Sequence, residues 1–146
     1  MRVIVDANFC VSAVLSAGGN QAKILDHALG NGPYDVELCA PPQLFSKFEE
    51  VLARPKIAGR LRWGPAEIGI YARRLRLAVT EVPTGDPEKI PSYTGDPEDD
   101  PYVQAAILVG AAYVVSGNDH LLGMEDPPVP VLNPAQFVRL WEARLL

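Results

Sequence analysis

The run Val3-Ile4-Val5, followed at once by Asp6, is the feature that most restricts the fold of this chain. β-branched residues favour extended backbone, and an apolar run without polar alternation indicates a strand buried on both faces. Strands of that kind occur in parallel sheets that carry helices on both sides. An aspartate directly after such a strand lies at the carboxyl edge of the sheet, where α/β proteins bind their ligands. The first six residues therefore predict an α/β protein with a site at that edge.

The rest of the chain alternates strands with helices. Strands are predicted at 36–40, at 112–116 and, more weakly, at 129–132, and residues 83–99 are predicted to form a long loop. This order predicts right-handed crossovers and a parallel sheet with helices on both faces. Helices are predicted at 9–16 and 21–30, another is stopped by Pro55, and one from Pro65 has Ile68, Tyr71, Ala72, Leu75 and Val79 on its buried stripe. A further helix is predicted with Asp100 as its N-cap and Pro101 as its first residue. The last predicted helix begins at Asn133-Pro134 and runs through Leu145.

Composition favours an intracellular globular protein. The chain has 146 residues, the usual length of one domain, and its hydrophobic content of 48% and charged content of 21% are typical of a folded domain. No apolar run reaches the roughly 18 residues that span a bilayer, and Asp6 interrupts anything like a signal-peptide core. Cys10 and Cys39 fit neither a CxxC nor a Cys/His metal spacing. We therefore expect one domain, residues 1–146, in the reducing cytoplasm.

Basic residues are concentrated in the middle of the chain, although the formal net charge is −5. Seven of the 13 lysines and arginines lie within residues 54–76, which we call the basic segment, and Glu67 is its one acid. This asymmetry favours a basic surface for phosphates beside an acidic site for cations, with a solvated helical face as the alternative. The basic residues are Arg54, Lys56, Arg60, Arg62, Arg73, Arg74 and Arg76.

Oxygen-bearing side chains gather where two predicted strands end. The first strand leads into Asp6-Ala7-Asn8, and the strand at 112–116 leads into Ser116-Gly117-Asn118-Asp119. The intervening helix begins at Asp100, inside the acidic run Asp96-Pro97-Glu98-Asp99-Asp100. Hard oxygen ligands at one edge suit Mg²⁺ or Mn²⁺, which bind substrate phosphate and promote phosphodiester hydrolysis.

Each of these residues also has a plain structural explanation. Asp6 and Asp100 fit the role of helix N-caps, and Ser116 fits a tight turn as a small residue. Asp96 and Asp99 are interpreted as solvated loop acids rather than as ligands. The order and spacing of the set, rather than any single member, favour a metal site.

These segments, in this order, resemble the PIN family, in particular the toxin components of bacterial toxin–antitoxin systems. The similarity extends over nearly the whole chain, and its most specific part is the acidic Pro-containing motif at its distance from the Ser116 turn. The matching segments are Val3–Asn8 with Val11–Leu15, Glu50–Lys56, Asp96–Pro101, Tyr113–Gly117 with Leu121-Leu122, and Asn133–Phe137.

The resemblance implies a three-layer α/β/α sandwich around a central parallel sheet of four to five strands. It also implies a divalent metal, Mg²⁺ or Mn²⁺, and cleavage of single-stranded RNA. It carries over Asp6 and Asp100 as metal ligands, with Asn8, Ser12 and Ser116 as supporting polar groups.

Two departures from the family pattern predict attenuated activity. Lys47 stands where the family has a glutamate, and on a helical wheel Glu49 lies on the opposite flank and Glu50 nearer the solvent. The usual Thr-Gly-Asp is replaced by Ser116-Gly117-Asn118, with Asp119 one position late. An asparagine can ligate through its carbonyl, but it brings no charge.

The sequence thus predicts an attenuated Mg²⁺- or Mn²⁺-dependent endoribonuclease, the toxin of a toxin–antitoxin pair. Asp6, Asp100 and Asp119 are the predicted metal ligands, and Glu50 completes the catalytic set. Asn118 and Asp96 join the supporting polar groups. The residues predicted to bind RNA phosphates are Arg54, Lys56, Arg73, Arg74 and Arg76.

Other functions and partners follow from the same residues. Lys47 and Asn118 favour, as the main alternative, a non-catalytic PIN-like module that binds RNA or a partner. An aspartyl-phosphate phosphotransferase normally needs a second aspartate where Asn8 stands, and no G-x-G-x-x-G follows the first strand as a dinucleotide site requires. An antitoxin protein is an expected partner. A homodimer is expected through Ile70 and Leu77, which lie one heptad apart opposite the buried stripe.

Overall fold

A five-stranded, all-parallel sheet forms the centre of the computed structural model, which describes residues 1–31 and 35–143. The strands are β1 (Arg2–Val5), β2 (Glu37–Ala40), β3 (Val79–Glu81), β4 (Tyr113–Val115) and β5 (Val131–Leu132), in the order β3-β2-β1-β4-β5. β1 is central, and its residues Val3–Val5 are fully buried, as the β-branched run predicts.

Helices flank the sheet, which confirms the predicted α/β/α class. They are α1 (Ala7–Leu15), α2 (Asn20–Asp26), α3 (Gln43–Leu52), α4 (Pro55–Leu61), α5 (Pro65–Ala78), α6 (Asp100–Val109), α7 (Asp119–Leu122) and α8 (Pro134–Glu142). A π-helical turn (His27–Asn31) extends α2, and a short 3₁₀ turn (Pro87–Lys89) lies in the predicted loop. None of the helices in the described ranges combines the length and the apolar character needed to cross a membrane.

Several boundaries differ from the prediction for local reasons. Pro55 ends α3 as expected, but it also occupies the first turn of α4, where a proline costs no backbone hydrogen bond. The helix predicted over 21–30 divides into α2 and the π-helical turn, which contains Gly30 at φ 90°. The predicted start of α8 at Asn133-Pro134 is confirmed, since Asn133 Oδ1 accepts from Gln136 N at 2.8 Å as the N-cap. α8 is helical through Glu142, and the predicted end at Leu145 lies outside the described residues.

Three further elements differ from the sequence prediction. Val79 is predicted on the buried stripe of α5, but it begins β3, pairs with Leu38 of β2 and is 1% exposed. An apolar residue at the end of a helical stripe looks the same in sequence as the first residue of a buried strand. The short helix α7 has no counterpart in the prediction. Asp100 is the first residue of α6 rather than its N-cap, the position that Asp99 occupies.

The register of the sheet fixes the site. Val5 pairs with Val115, so the residues that follow, Asp6 and Ser116, leave the carboxyl edge side by side. α6 follows the loop that crosses this edge, and its first residues arrive beside β1 and β4. Residues from three distant parts of the chain therefore meet at one edge of the sheet.

Candidate metal centre

Asp6 is both a helix cap and the buried centre of the site. Its Oδ1 accepts from Phe9 N at 2.9 Å, which caps α1, and its Oδ2 accepts from the Ser116 hydroxyl. The side chain is nearly inaccessible to solvent. Burial raises the pKa of Asp6, the hydrogen bonds from Ser116 and Phe9 oppose that rise, and the negative charge of Asp99 adds to it. The Asp6 carboxylate therefore has two roles: Oδ1 caps α1, and Oδ2 belongs to the candidate site.

Ser116 does more than fill a tight turn. It is fully buried, donates to Asp6, and accepts from Asn118 N at 2.9 Å through the same Oγ. It thereby orients the Asp6 carboxylate and shapes the turn that leads into α7. Its role as a supporting polar group of a metal site stays a prediction.

Asp99 is the second buried acid, and its interpretation as a solvated loop residue is wrong. It is 8% exposed, its Oδ1 accepts from Asn118 Nδ2 at 2.9 Å, and its Oδ2 lies 3.0 Å from His120 Nδ1. Asp99 has no side-chain capping hydrogen bond at the start of α6, although it occupies the N-cap position. Its charge therefore acts toward the sheet edge, as its effect on the pKa of Asp6 shows.

His120 is a member of the site that the sequence analysis does not single out. Its Nδ1 lies 3.2 Å from Asp96 Oδ2 as well as 3.0 Å from Asp99 Oδ2, and one ligand atom from each of the three residues lies within 4.8 Å of the others. The hydrogen bond to Asp99 and the charges of both acids raise the pKa of the exposed His120 ring. The sequence signal that could have identified His120 is its position two residues after Asn118, in the turn that follows β4.

Asp100 holds a loop. Its Oδ1 accepts from Tyr93 N at 3.0 Å, Thr94 N at 2.8 Å and Thr94 Oγ1 at 2.8 Å. Tyr93 in turn donates its hydroxyl to Gln104 Oε1 at 2.6 Å. Three donors on one oxygen fix residues 93–94 against the start of α6. A metal-ligand role for Asp100 stays a prediction.

An open cleft of about 350 Å³ lies beside Asp6. Of the predicted residues, Asp6, Asn8 and Glu50 line it, and so does Lys47. Glu50 Oε1 lies 3.6 Å from Lys47 Nζ and 3.3 Å from Arg54 Nη2, so two cations share one carboxylate on the wall of α3. The cleft thus has an acidic floor and a mixed-charge wall. Its lining residues are Asp6, Ala7, Asn8, Gln43, Ser46, Lys47, Glu50, Pro87, Pro97, Glu98, Pro101 and Tyr102.

The other predicted site residues lie around this centre. Asn8, Ser12 and Asn118 line a second cavity of about 210 Å³ on the α1 side of the edge. Asn118 Oδ1 accepts from His120 N at 2.9 Å as the N-cap of α7, so its carbonyl already has a partner. Asp119 is exposed in the first turn of α7. The predicted RNA-binding residues Arg54, Lys56, Arg73, Arg74 and Arg76 are exposed on α3–α5.

The donor set fits a hard divalent cation. Asp6 and Asp99 present buried carboxylates, and the negative charge of Asp99 adds to the raised pKa of Asp6, which a bound cation would oppose. Asp96 and His120 add an oxygen and a nitrogen beside Asp99. Carboxylate oxygens suit Mg²⁺ and Mn²⁺, and an imidazole nitrogen is tolerated better by Mn²⁺.

Comparisons with known proteins bear on the family and the fold of the chain. A family model described as a PIN domain matches residues 2–120. The fold is similar to that of VapBC2 from Rickettsia felis, solved bound to a promoter DNA fragment, with a TM-score of 0.64 at 12% identity over 91% of this chain and 98% of that one. It is also similar to PAE2754 from Pyrobaculum aerophilum, with a TM-score of 0.65 at 15% identity over 97% and 96% of the two chains. A search of the curated proteins gives no significant match.

Proposed function

The chain belongs to the PIN-domain family, and on that premise we propose that it is a Mg²⁺- or Mn²⁺-dependent endoribonuclease that cleaves single-stranded RNA with attenuated activity. The observation that carries the proposal is the meeting of Asp6, Ser116 and Asp99 at the carboxyl edge of the sheet, beside an open cleft. A desolvated pair of carboxylates is costly to the fold, and it is best explained by a cation that the pair binds.

In this proposal Asp6 and Asp99 hold the metal. Ser116 orients Asp6, and Asn118 orients Asp99 through its amide nitrogen. Held by these residues, Mg²⁺ or Mn²⁺ would supply Lewis-acid activation of a phosphoryl oxygen and of the attacking water. Asp96 and Asp119 assist from the rim, and Asp100 acts by holding residues 93–94 beside the site, with direct ligation as its alternative role.

Attenuation is attributed to the wall of the cleft. The Lys47 ammonium stands on the side of the cleft where a further carboxylate would favour a cation, and Glu50 is occupied by Lys47 and Arg54. Asn118 brings no charge to the turn after β4. The site therefore has fewer free negative charges than its acidic surroundings suggest.

The proposed substrate surface is the basic segment together with the cleft. Arg73 and Arg74 are exposed on α5 and Lys56 on α4, where they attract phosphates without reading sequence. In this arrangement α3 connects the basic segment to the cleft, because Arg54 follows its end and Glu50, Lys47 and Gln43 line the wall.

An antitoxin and a cytoplasmic location complete the proposal. The similar Rickettsia felis structure is of a VapBC2 complex, and the family resemblance is to toxin components, which supports an antitoxin partner for this chain. A homodimer is proposed through Ile70 and Leu77, which are 47% and 87% exposed on α5. In sedimentation, Ile70→Glu/Leu77→Glu should give a lower mass than wild type, and equal masses would remove the dimer.

Cleavage of a fluorescent single-stranded RNA in Mn²⁺, in Mg²⁺ and after chelation tests the enzyme. Metal-dependent product that the chelator abolishes supports the nuclease, and the same RNA in duplex form is the substrate control. The second candidate is a non-catalytic RNA-binding module, favoured by Lys47 in the cleft and by Asn118 at the turn. Tight RNA binding with no product in either metal would select that module.

A further inference from the structure

The arginines at the centre of the basic segment are held by few carboxylates. Among the described residues, ion pairs engage Arg54 with Glu50 and Arg76 with Glu81, and none engages Arg62, Arg73 or Arg74. Glu67, the one acid of the segment, accepts a hydrogen bond from Gly64 N at 3.0 Å at the start of α5. Arg62, Arg73 and Arg74 therefore carry positive charge that no ion pair among the described residues neutralises.

Two aromatic rings lie among these charges. Trp63 and Tyr71 are stacked with centroids 4.1 Å apart and planes inclined by 26°. The Arg74 guanidinium carbon lies 5.3 Å from the Tyr71 ring centroid. Trp63 and Tyr71 are half-buried, and Arg74 is exposed. An indole braced by a second ring is held rigidly, which lowers the entropy lost when a planar ligand stacks on it.

The residue before Trp63 has an unfavourable backbone for its type. Arg62 ends α4 in the left-handed region at φ 59° and ψ 38°, a position that glycine favours because it lacks a Cβ. Trp63 N donates to Ala58 O at 3.0 Å across the same turn, so this backbone conformation sets where the indole lies. An arginine here accepts a steric cost that glycine avoids, which directs attention to what its side chain does.

The pair lies away from the metal centre. Trp63 does not line the cleft of Asp6. Arg76, near the end of α5, lies over the ring of Phe45, near the start of α3, at 4.4 Å. The Trp63 ring lies against Tyr71, which is five residues before Arg76 on α5, or about 7.5 Å along the helix at a rise of 1.5 Å per residue.

We propose that Trp63, with Arg62 and Arg74 beside it, is a subsite that stacks one unpaired base of single-stranded RNA and binds its flanking phosphates. The inference rests on the proposed function and deepens it. Aromatic faces bind bases of any identity, but only where the base is not already stacked and paired, and flanking arginines supply the phosphate contacts. The subsite thus selects single-stranded substrate outside the residues that line the cleft.

Fluorescence anisotropy with a short labelled single-stranded RNA, in the Asp6→Asn background and without metal, measures binding apart from cleavage. Trp63→Ala is expected to weaken binding about 10-fold, within the usual range for loss of one base–aromatic stack, and Trp63→Phe to recover most of it. Wild type should bind an RNA with abasic positions more weakly than the intact RNA. Trp63→Ala should bind the two RNAs with the same affinity. The phenylalanine variant and the abasic RNA decide the matter if Trp63→Ala does not fold.

Arg62→Gly separates the side chain from the turn. It should keep or raise the melting temperature, because glycine suits the left-handed backbone, and yet should weaken RNA binding several-fold. Arg139→Gln, which removes one exposed charge on α8, is the matched control and should bind as wild type does. Full affinity in Arg62→Gly and Trp63→Ala would overturn the subsite.

The outcomes distinguish this subsite from the proposed function. If Arg73→Gln/Arg74→Gln weakens binding while the Trp63 variants and the abasic RNA do not, the RNA-binding function stands and the subsite fails. If wild type binds no RNA, both fail. Binding of poly-glutamate that depends on Trp63, with no effect of abasic positions in RNA, would mean that the subsite takes an acidic protein segment and would overturn the proposal.

Discussion

The carboxyl edge of the sheet and the basic segment carry opposite charges, and they differ in how firmly those charges are held. Asp6 and Asp99 at the edge are 5% and 8% exposed, and both carboxylate oxygens of each residue have a hydrogen-bond partner. Arg73 and Arg74 are exposed, and no ion pair with a described residue restrains them. A buried charge acts through its geometry, whereas exposed charges act together through their field. A single substitution should therefore matter much more at the edge.

Asp6→Asn should give the largest effect. Cleavage is expected to fall by at least about 100-fold, because several kcal/mol of transition-state stabilisation is lost with the metal. Mn²⁺ titration should show weaker binding than in wild type. Equal Mn²⁺ affinity would remove Asp6 from the site.

The same substitution should also stabilise the metal-free protein. The pKa of Asp6 is raised by burial, so its contribution to stability is present below about pH 3.8 and is lost as the pH rises through its folded pKa. Asparagine has no charged form to desolvate, so the melting temperature of Asp6→Asn at pH 7 should exceed that of wild type. Excess Mn²⁺ should reverse the order, since the metal binds folded wild type.

Asp99→Asn and Asp100→Asn form the next test, because they lie one residue apart. Asp99→Asn should weaken Mn²⁺ binding with little change in melting temperature. Asp100→Asn should instead cost about 1–3 kcal/mol of stability, because three donors of residues 93–94 lose a charged acceptor. Thermal unfolding and Mn²⁺ titration of the two variants measure the split. The opposite pattern would make Asp100 the ligand and Asp99 the structural residue.

Lys47→Glu with Asn118→Asp should raise both metal affinity and the rate of cleavage. Two like charges about 4 Å apart repel by roughly 4 kcal/mol at an effective dielectric near 20, an upper guide for a lysine that is long enough to swing away. The double change is expected to tighten Mn²⁺ binding and to raise cleavage by about 10-fold, a fraction of that limit. Tighter metal binding without faster cleavage would point to a binding module, and no change in either would mean that these positions were matched wrongly to the family.

Arg73→Gln/Arg74→Gln should give the smallest effect of the set. RNA affinity should fall several-fold, because two phosphates of the strand are no longer neutralised. The slope of log affinity against log salt should become shallower by about 1.4, at roughly 0.7 for each such phosphate of a single strand. The melting temperature should not change, since both side chains are exposed. An unchanged slope would reassign this face of α5 to solvation alone.

The features that the sequence predicts correctly depend on short-range interactions, and the features that it does not predict depend on contacts between distant residues. The buried strand β1, the helix stop at Pro55 and the helix start at Asn133 were predicted, because each depends on a few neighbouring residues. β3 was missed because Val79 completes a helical stripe in sequence, and its pairing with Leu38 lies far along the chain. His120 was missed because its two acidic partners belong to the run before α6.

The sequence by itself determined the parallel α/β class, the carboxyl edge as the place of the site, and the opposite charges of the edge and the basic segment. Only the tertiary structure decided which acid of the run Asp96–Asp100 turns toward Asp6. Successive residues at the start of a helix point about 100° apart, so Asp99 and Asp100 face different neighbours although they are adjacent in sequence. The arrival angle of α6 at the sheet selects between them, and packing over the whole sheet sets that angle.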